Sequence, residues 1–208
     1  MMFEKLREYR IVPVVAVDSA EEGLRLCEAL IAGGLPVAEI TFRTGAAEAT
    51  IREVAKRFPE MILGAGTVLT TEQVQRAVDA GAKFAVAPGC NPTIIAAAKN
   101  AGLPFAPGVC TPSDIERAFD CGCKLLKFFP AEAAGGVPML KALIGPYGHL
   151  GISFCPTGGV NTSNLKSYLA LPQVAFVGGT WIAKKDLVAA GDWKGISKLA
   201  ADALSARD

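Results

Sequence analysis

The stretch ILGAGTVLTTEQVQRAVDAGAKFAVAPG, residues 62–89, contains one full repeat of the pattern that decides the fold. An apolar run over residues 62–68 precedes a segment of helical period, and Gly81 stands where a left-handed helix end needs glycine. A second apolar run, residues 84–89, follows at once. A strand, a helix and another strand in this order are typical of a βαβ unit, in which the two strands are parallel.

The same alternation continues along the chain. Eight apolar runs predict strands: 11–17, 37–43, 62–68, 84–89, 104–109, 124–131, 152–159 and 174–182. The helices between them have N-cap candidates, which are Ser19, Thr70 or Thr71, Asn91, Thr111 or Ser113, and Thr162 or Ser163. Near-continuous apolar strands indicate a parallel sheet that is buried on both faces.

Eight strand–helix units in 208 residues predict an α/β protein with one domain, residues 1–208, folded as a (β/α)8 or TIM barrel. The segment FEKLREY, residues 3–9, predicts an extra N-terminal helix. An open doubly wound sheet is an alternative fold. Its first strand would normally lead into a glycine-rich turn, whereas DSAEE (18–22) follows the first strand here.

Composition and charge exclude several functions. The chain has 21 basic and 20 acidic side chains, so no overall field favours nucleic acid or an anionic membrane as a partner. Its six cysteines form no CxxC motif and only one histidine, His149, accompanies them, which argues against a metal site. The charged start MMFEKLREYR is unlike a signal peptide, and no apolar stretch approaches ~18 residues. We therefore expect a cytoplasmic protein.

Side chains alternate between the two faces of a strand, which places Glu39, Thr41 and Arg43 on the interior face of the second strand. The same rule places Lys127 and Phe129 on the interior face of the sixth. Because barrel enzymes carry their active sites at the C-terminal ends of the strands, these side chains predict a catalytic cavity there. Thr67 and Thr157 lie near the ends of the third and seventh strands.

Two interpretations of Lys127 and Glu39 are open from the pattern. A buried ion pair could merely fill the barrel, although such pairs stabilise weakly because both charges lose their hydration. Alternatively, Lys127 is a Schiff-base lysine: an apolar neighbour such as Phe129 disfavours the charged amine and leaves a nucleophile. Glu39 would then transfer protons as general acid and base.

Glycine-rich segments follow the last two strands. TGG (157–159) and GGT (178–180) occupy the positions where many barrels bind phosphate on backbone amides. This placement predicts a phosphate site, although tight turns after strands also need glycine for conformational reasons.

These residues resemble a known family. GLPVAEITFRT (34–44) and GCKLLKFFPAEAAGG (122–136) are similar to the two signature runs of the class I aldolases that cleave 2-keto-3-deoxy-6-phosphogluconate (KDPG) and 4-hydroxy-2-oxoglutarate (KHG). Shorter matches follow in order: GAGTV (64–68), APG (87–89), PGVCTP (107–112), CPTGGV (155–160) and GGTW (178–181). The resemblance covers nearly the whole chain.

The resemblance implies a homotrimeric (β/α)8 aldolase with no metal or other cofactor, acting on a small keto acid. Lys127 would form the Schiff base and Glu39 would be the acid and base. The implied substrate-binding residues are Arg43, Thr67, Pro88, Phe129 and Thr157, with Arg43 and Thr67 on the carboxylate. The implied phosphate-binding residues are Gly158, Gly159, Gly179 and Thr180. Two positions depart from the family pattern: Ala87 and Thr180 stand where serine is common.

Other functions stay open at this point. A 2-keto-3-deoxy-6-phosphogalactonate aldolase would differ only in the orientation of one substrate hydroxyl. A phosphate-binding barrel could instead be an isomerase or a synthase of the thiamin-phosphate type, or a phosphosugar-binding protein without catalysis. The single histidine argues against the metal-dependent isomerases, and a buried Lys–Glu pair is costly in a pure binding protein.

Overall fold

The structure is a computed structural model that describes residues 2–207. Among these residues there are nine strands, all paired in parallel: β1 (Ile11–Val15), β2 (Val37–Thr41), β3 (Ile62–Gly66), β4 (Phe84–Val86), β5 (Phe105–Ala106), β6 (Gly108–Val109), β7 (Leu125–Phe128), β8 (Ser153–Phe154) and β9 (Val177–Gly179). This arrangement confirms the predicted α/β class with a parallel sheet.

Helices lie between consecutive strands except between β5 and β6. They are α1 (Met2–Tyr9), α2 (Ala20–Ala32), α3 (Ala47–Arg57), α4 (Thr71–Asp79), α5 (Pro92–Asn100), α6 (Pro112–Asp120), α7 (Gly136–Tyr147), α8 (Leu165–Leu169), α9 (Lys185–Ala189) and α10 (Trp193–Arg207), with a short 3₁₀ helix at Gly148–Leu150. Within residues 2–207, none of these helices is both long and apolar enough to cross a lipid bilayer.

Side-chain caps fix most helix starts as predicted. The side chains of Ser19, Thr70, Asn91 and Thr111 each accept a hydrogen bond from a backbone N–H in the first turn of α2, α4, α5 and α6. The prediction for α8 was wrong, because that helix begins after Asn164 rather than after Thr162 or Ser163. The Asn164 side chain accepts instead from the backbone N–H of Asn161, 2.8 Å away.

The strands form a curled parallel sheet. Six strands lie in the order β5-β4-β3-β2-β1-β9, and three others lie in the order β6-β7-β8. β5 and β6 flank Pro107, which has no N–H to donate to a neighbouring strand. β5 pairs with β4, whereas β6 pairs with β7, so consecutive residues of one chain segment contact opposite neighbours. Two isolated parallel bridges join β8 and the chain just after it to the β9 region, at Phe154–Val174 and Thr157–Gly178.

Most observed strands end two or more residues before the predicted apolar runs do; the exception is the run 104–109, which forms two strands, β5 and β6, and ends with β6 at Val109. β2 stops at Thr41, β3 at Gly66 and β4 at Val86, where the runs extended to residues 43, 68 and 89. The chain leaves the sheet at these points and its next residues form loops at the C-terminal edge. These loops carry most of the chemically interesting side chains.

Candidate active site

A cavity of about 240 Å³ lies at the C-terminal ends of the strands. All eleven residues that the sequence analysis assigned to a site line it: Glu39, Arg43, Thr67, Pro88, Lys127, Phe129, Thr157, Gly158, Gly159, Gly179 and Thr180. They come from six segments of the chain, and parallel strands bring them together because their carboxyl ends meet at one edge. Val14 and Thr41 line the same cavity.

Lys127 and Glu39 form a buried ion pair at the base of this cavity. The ammonium nitrogen Nζ of Lys127 lies 3.0 Å from Oε1 and 3.4 Å from Oε2 of Glu39. The side chains are 7% and 4% exposed, so water screens the pair little. Nζ also lies 5.7 Å from the ring centroid of Phe129. A carboxylate therefore stands within proton-transfer distance of the one amine in the cavity.

Strand pairing and one glycine place these two groups. Lys127 on β7 pairs with Gly108, and its backbone N–H donates to the carbonyl of Pro107 at 2.8 Å. Glu39 on β2 pairs with Gly64 of β3. A Cβ at the next cavity-side position of β3, Gly66, would contact Oε1 of Glu39 and lie 2.7 Å from its Cγ. The absence of a side chain at Gly66 leaves the space that the Glu39 carboxylate fills.

Thr41 is a site residue to which the sequence analysis gave no role. Its side chain is buried, and its Oγ1 donates to the carbonyl of Val15 at 2.9 Å. The same oxygen accepts from Nε of Arg43 at 3.2 Å. Thr41 thus holds Nε of Arg43, whose side chain is otherwise exposed. The alternation of side chains along β2 had placed Thr41 on the interior face, and this was the one feature of the sequence that could have indicated a site residue. Val14 has no polar group, so its residue type gave no such indication.

Thr67 and Thr157 line the cavity just beyond the ends of β3 and β8. Thr67 has a φ of +57°, in the left-handed region that β-branched residues seldom adopt, and such strain is concentrated at functional sites. Thr157 is buried and lies beside Gly178, where a Cβ would stand 2.5 Å from Oγ1 of Thr157. Ala87, which departs from the family pattern, is buried and does not line the cavity.

The glycine turn, defined as Gly158–Gly159, forms one end of the cavity. Both residues have left-handed φ values, +98° and +84°, which glycine alone adopts readily. Their carbonyls accept hydrogen bonds from neighbouring segments, whereas neither backbone N–H donates to a protein acceptor among the described residues. Backbone N–H groups without an acceptor are suited to an anion. Thr180 joins this end from the segment after β9.

A larger outer cavity of about 520 Å³ adjoins this end. Val14, Arg43 and Thr180 line both cavities. Charged side chains of both signs surround the outer one: Asp18, Arg43, Lys184, Lys185 and Asp186. The two cavities therefore adjoin each other at Val14, Arg43 and Thr180, whereas Lys127 lines only the smaller one.

The described residues contain no group of three or more His, Cys, Asp or Glu side chains placed to hold a metal ion. His149 is exposed and lies outside the cavity. The six cysteines are all free. Cys155 is buried near Lys127 and Glu39, and burial raises its pKa to about 12, so its thiol is protonated at neutral pH.

Comparison with known proteins identifies the family. The family model of KDPG and KHG aldolase matches residues 2–199. A 2-dehydro-3-deoxy-phosphogluconate aldolase of Haemophilus influenzae is 47% identical over 198 residues, which cover 95% of this chain and 92% of that protein. A KHG/KDPG aldolase of Escherichia coli is 44% identical over 194 residues, covering 93% of this chain and 90% of the other.

A solved structure agrees with these relatives. The KDPG aldolase of Legionella pneumophila, with pyruvate captured at low pH as a covalent carbinolamine intermediate, is 39% identical and covers 97% of each chain with a TM-score of 0.92. The family match, the two enzyme relatives and this structural likeness all extend over nearly the whole chain. The chain therefore belongs to the KDPG and KHG aldolase family.

Proposed function

We propose that this chain is a class I aldolase that cleaves KDPG to pyruvate and glyceraldehyde 3-phosphate, and KHG to pyruvate and glyoxylate. The observation that carries the proposal is the buried Lys127–Glu39 pair in a cavity whose far end is the glycine turn. An amine beside a proton acceptor supports Schiff-base chemistry, and the turn supports binding of a phosphate.

The first half of the reaction forms the Schiff base. Glu39 takes a proton from the ammonium of Lys127, 3.0 Å away, and the neutral amine attacks the C2 carbonyl of the keto acid. The resulting carbinolamine loses water, with Glu39 returning the proton to the departing hydroxyl. The product is an iminium ion on Lys127 that can accept the electrons of a neighbouring bond.

The second half breaks the bond between C3 and C4. Glu39 removes the proton of the C4 hydroxyl, the aldehyde leaves, and the bonding electrons move into the iminium to give an enamine. Protonation of the enamine at C3, followed by addition of water at C2, releases pyruvate and regenerates Lys127. The water lost in the first half is recovered here, so each keto acid yields one pyruvate and one aldehyde.

The remaining cavity residues would orient the substrate. Arg43 and Thr67 would bind the carboxylate of the keto acid, and Phe129 and Pro88 would wall its apolar face; all four line the cavity. Thr157 would contact the hydroxyl of the carbinolamine. Holding the substrate in one orientation accounts for much of an enzyme's rate because the reacting atoms meet without further ordering.

The phosphate of KDPG would bind at the opposite end. Its oxygens would accept hydrogen bonds from the backbone N–H groups of Gly158 and Gly159, with the hydroxyl of Thr180 and the backbone at Gly179 completing the site. Thr180 replaces the serine of the family pattern but keeps a hydroxyl, so the donor is preserved. KHG has no phosphate and would leave this end unused.

We also propose that the chain is one domain, residues 1–208, with a closed (β/α)8 barrel and α1 as its extra N-terminal helix. The split pairing of β5 and β6 and the two bridges from β8 and the chain just after it support closure. A homotrimer follows from the family resemblance, and the six free cysteines support the cytoplasm as the location. Light scattering coupled to size exclusion would test the trimer.

Borohydride trapping with pyruvate tests the proposal. Reduction should attach a three-carbon adduct to the chain, and peptide mass spectrometry should locate the adduct on Lys127 and on no other lysine. Lys127→Ala should give neither adduct nor turnover. An adduct on another residue, or turnover by Lys127→Ala, would overturn the mechanism and favour an isomerase or synthase of the same fold.

A coupled lactate dehydrogenase assay tests the substrates. Pyruvate release should be measured with KDPG, with its galactonate isomer and with KHG. Faster release from the galactonate isomer would assign the alternative aldolase activity. Binding of all three without pyruvate release would show a phosphosugar-binding protein instead.

A further inference from the structure

The glycine turn is held by groups that do not line the cavity. The backbone N–H of Glu132 donates to the carbonyl of Gly158 at 3.0 Å. The side-chain amides of Asn161 and Asn164 both donate to the carbonyl of Gly159, at 3.0 and 3.1 Å. These bonds hold both carbonyls of the turn, whereas its two N–H groups have no protein acceptor among the described residues and belong to residues that line the cavity.

Tyr168 holds the side chain of Glu132 in place. This tyrosine of α8 is fully buried, and its hydroxyl donates to Oε1 of Glu132. Burial first, and then this hydrogen bond, raise the pKa of Tyr168 well above its usual range, so the hydroxyl stays a donor. Glu132 packs directly on the turn, since a Cβ at Gly159 would lie 2.6 Å from both Cβ and Cγ of Glu132.

Asn164 and Tyr168 thus both support the glycine turn, but through different contacts. Asn164 immediately precedes α8 and binds Gly159 directly, whereas Tyr168, on α8, acts through Glu132. Neither contacts the Lys127–Glu39 pair, and neither lines the reactive cavity. A contribution to the phosphate end can therefore be separated from Schiff-base chemistry.

We propose that Tyr168 and Asn164 are positioning residues for the phosphate group, an inference that rests on the proposed function. They fix the glycine turn with its N–H groups toward the cavity. Tyr168 also keeps the negatively charged Glu132 carboxylate off the phosphate end, since that carboxylate does not line the cavity although its side chain packs against Gly159. A carboxylate free to approach a phosphate dianion would repel it.

Tyr168→Phe is the sharpest test because it removes one hydroxyl and leaves the ring in place. We expect KM for KDPG to rise about fivefold to tenfold, consistent with the loss of one hydrogen bond, while kcat stays within about twofold. KM for the unphosphorylated KHG should stay within about twofold, and borohydride trapping of pyruvate on Lys127 should be unchanged. The inhibition constant of inorganic phosphate should rise by the same factor as KM for KDPG.

Tyr147→Phe is the matched control. Tyr147 also donates to a glutamate, Glu116, at 2.8 Å, but this hydrogen bond is exposed and neither residue lines the cavity. It should leave both substrates unaffected. Asn164→Ser provides a second variant with the same expected selectivity should Tyr168→Phe fold poorly.

Equal losses on KDPG and KHG, or no change in the phosphate inhibition constant, would overturn the inference and leave a purely structural role. Failure of the proposed function would look different. In that case the unaltered protein itself would release no pyruvate and trap no adduct, whereas direct binding of inorganic phosphate could still be compared between the variants.

Discussion

Nζ of Lys127 on β7 lies 3.0 Å from Oε1 of Glu39 on β2, and both side chains are buried. The two residues are 88 positions apart in sequence, so only the fold brings them together. Opposite charges at this distance attract strongly, but each has lost most of its hydration, and the two effects largely cancel. We therefore expect the pair to add little to stability, in keeping with the catalytic role that we propose for it.

Double-mutant analysis should reveal this balance. Lys127→Met leaves a buried carboxylate without its partner and should lower the free energy of unfolding by about 3–5 kcal/mol. Lys127→Met combined with Glu39→Gln removes both charges and should recover most of that loss. Urea unfolding at neutral pH measures both values. A double variant as unstable as Lys127→Met alone would contradict the expected cancellation.

Thr41→Val should weaken substrate binding through Arg43. The change removes the hydroxyl that accepts from Nε of Arg43 at 3.2 Å while keeping the shape of the side chain. We expect KM for the keto acid to rise about fivefold, because one positioning hydrogen bond is lost, with a smaller effect on kcat. Thr41→Ser keeps the hydroxyl and should restore KM. Steady-state kinetics of the two variants check the prediction.

Thr50→Val is the control for that substitution. Thr50 is equally buried, but its Oγ1 has no hydrogen-bond partner among the described residues. Removing an unsatisfied buried hydroxyl should leave KM unchanged and keep or raise stability. A similar rise of KM in both valine variants would show that the effect of Thr41→Val comes from packing and not from Arg43.

The sequence predicted the cavity better than it predicted the edges of the sheet. Strand alternation was enough to place Glu39 and Lys127 on interior faces, because period two is set by the backbone alone. It could not show that Gly66 makes room for Glu39, since that contact depends on the register of β2 and β3. Strand ends were missed because apolar residues continue into the loops beyond them.

The residues that support the glycine turn could not be predicted from the sequence, for a related reason. Glu132 and Tyr168 are 36 positions apart, and nothing in either local pattern indicates that a buried hydroxyl of α8 reaches the loop after β7. Asn164 was hidden by a wrong helix start, because three residues with cap-forming side chains, Thr162, Ser163 and Asn164, follow one another. Such contacts depend on tertiary packing, which local propensity does not encode.

Alkaline conditions should destabilise the fold through its buried thiols. Burial raises the pKa of Cys27 and of Cys155 from 9.0 to about 12. Above pH 9 the unfolded chain loses these protons while the native protein keeps them, so the free energy of unfolding falls as pH rises from 9 towards 12. Urea unfolding at a series of pH values measures this slope.

The double substitution Cys27→Ala and Cys155→Ala provides the comparison. It removes both thiols, so the slope above pH 9 should become shallower although stability at neutral pH falls from lost packing. Cys155→Ala alone should retain aldolase activity, since a protonated thiol is no nucleophile. An unchanged slope in the double variant would assign the alkaline loss to other groups.

Gly66→Ala should displace the Glu39 carboxylate although neither Glu39 nor Lys127 is itself substituted. The new Cβ would contact Oε1 of Glu39 and lie 2.7 Å from its Cγ, so the carboxylate must move away from Lys127. A displacement of about 1 Å can lower kcat roughly a hundredfold, and borohydride trapping of pyruvate should slow in parallel. Gly45→Ala is the control, because no heavy atom lies within 4 Å of its added Cβ. Normal kcat in Gly66→Ala, with folding equal to that of Gly45→Ala, would mean that the position of Glu39 does not limit the reaction.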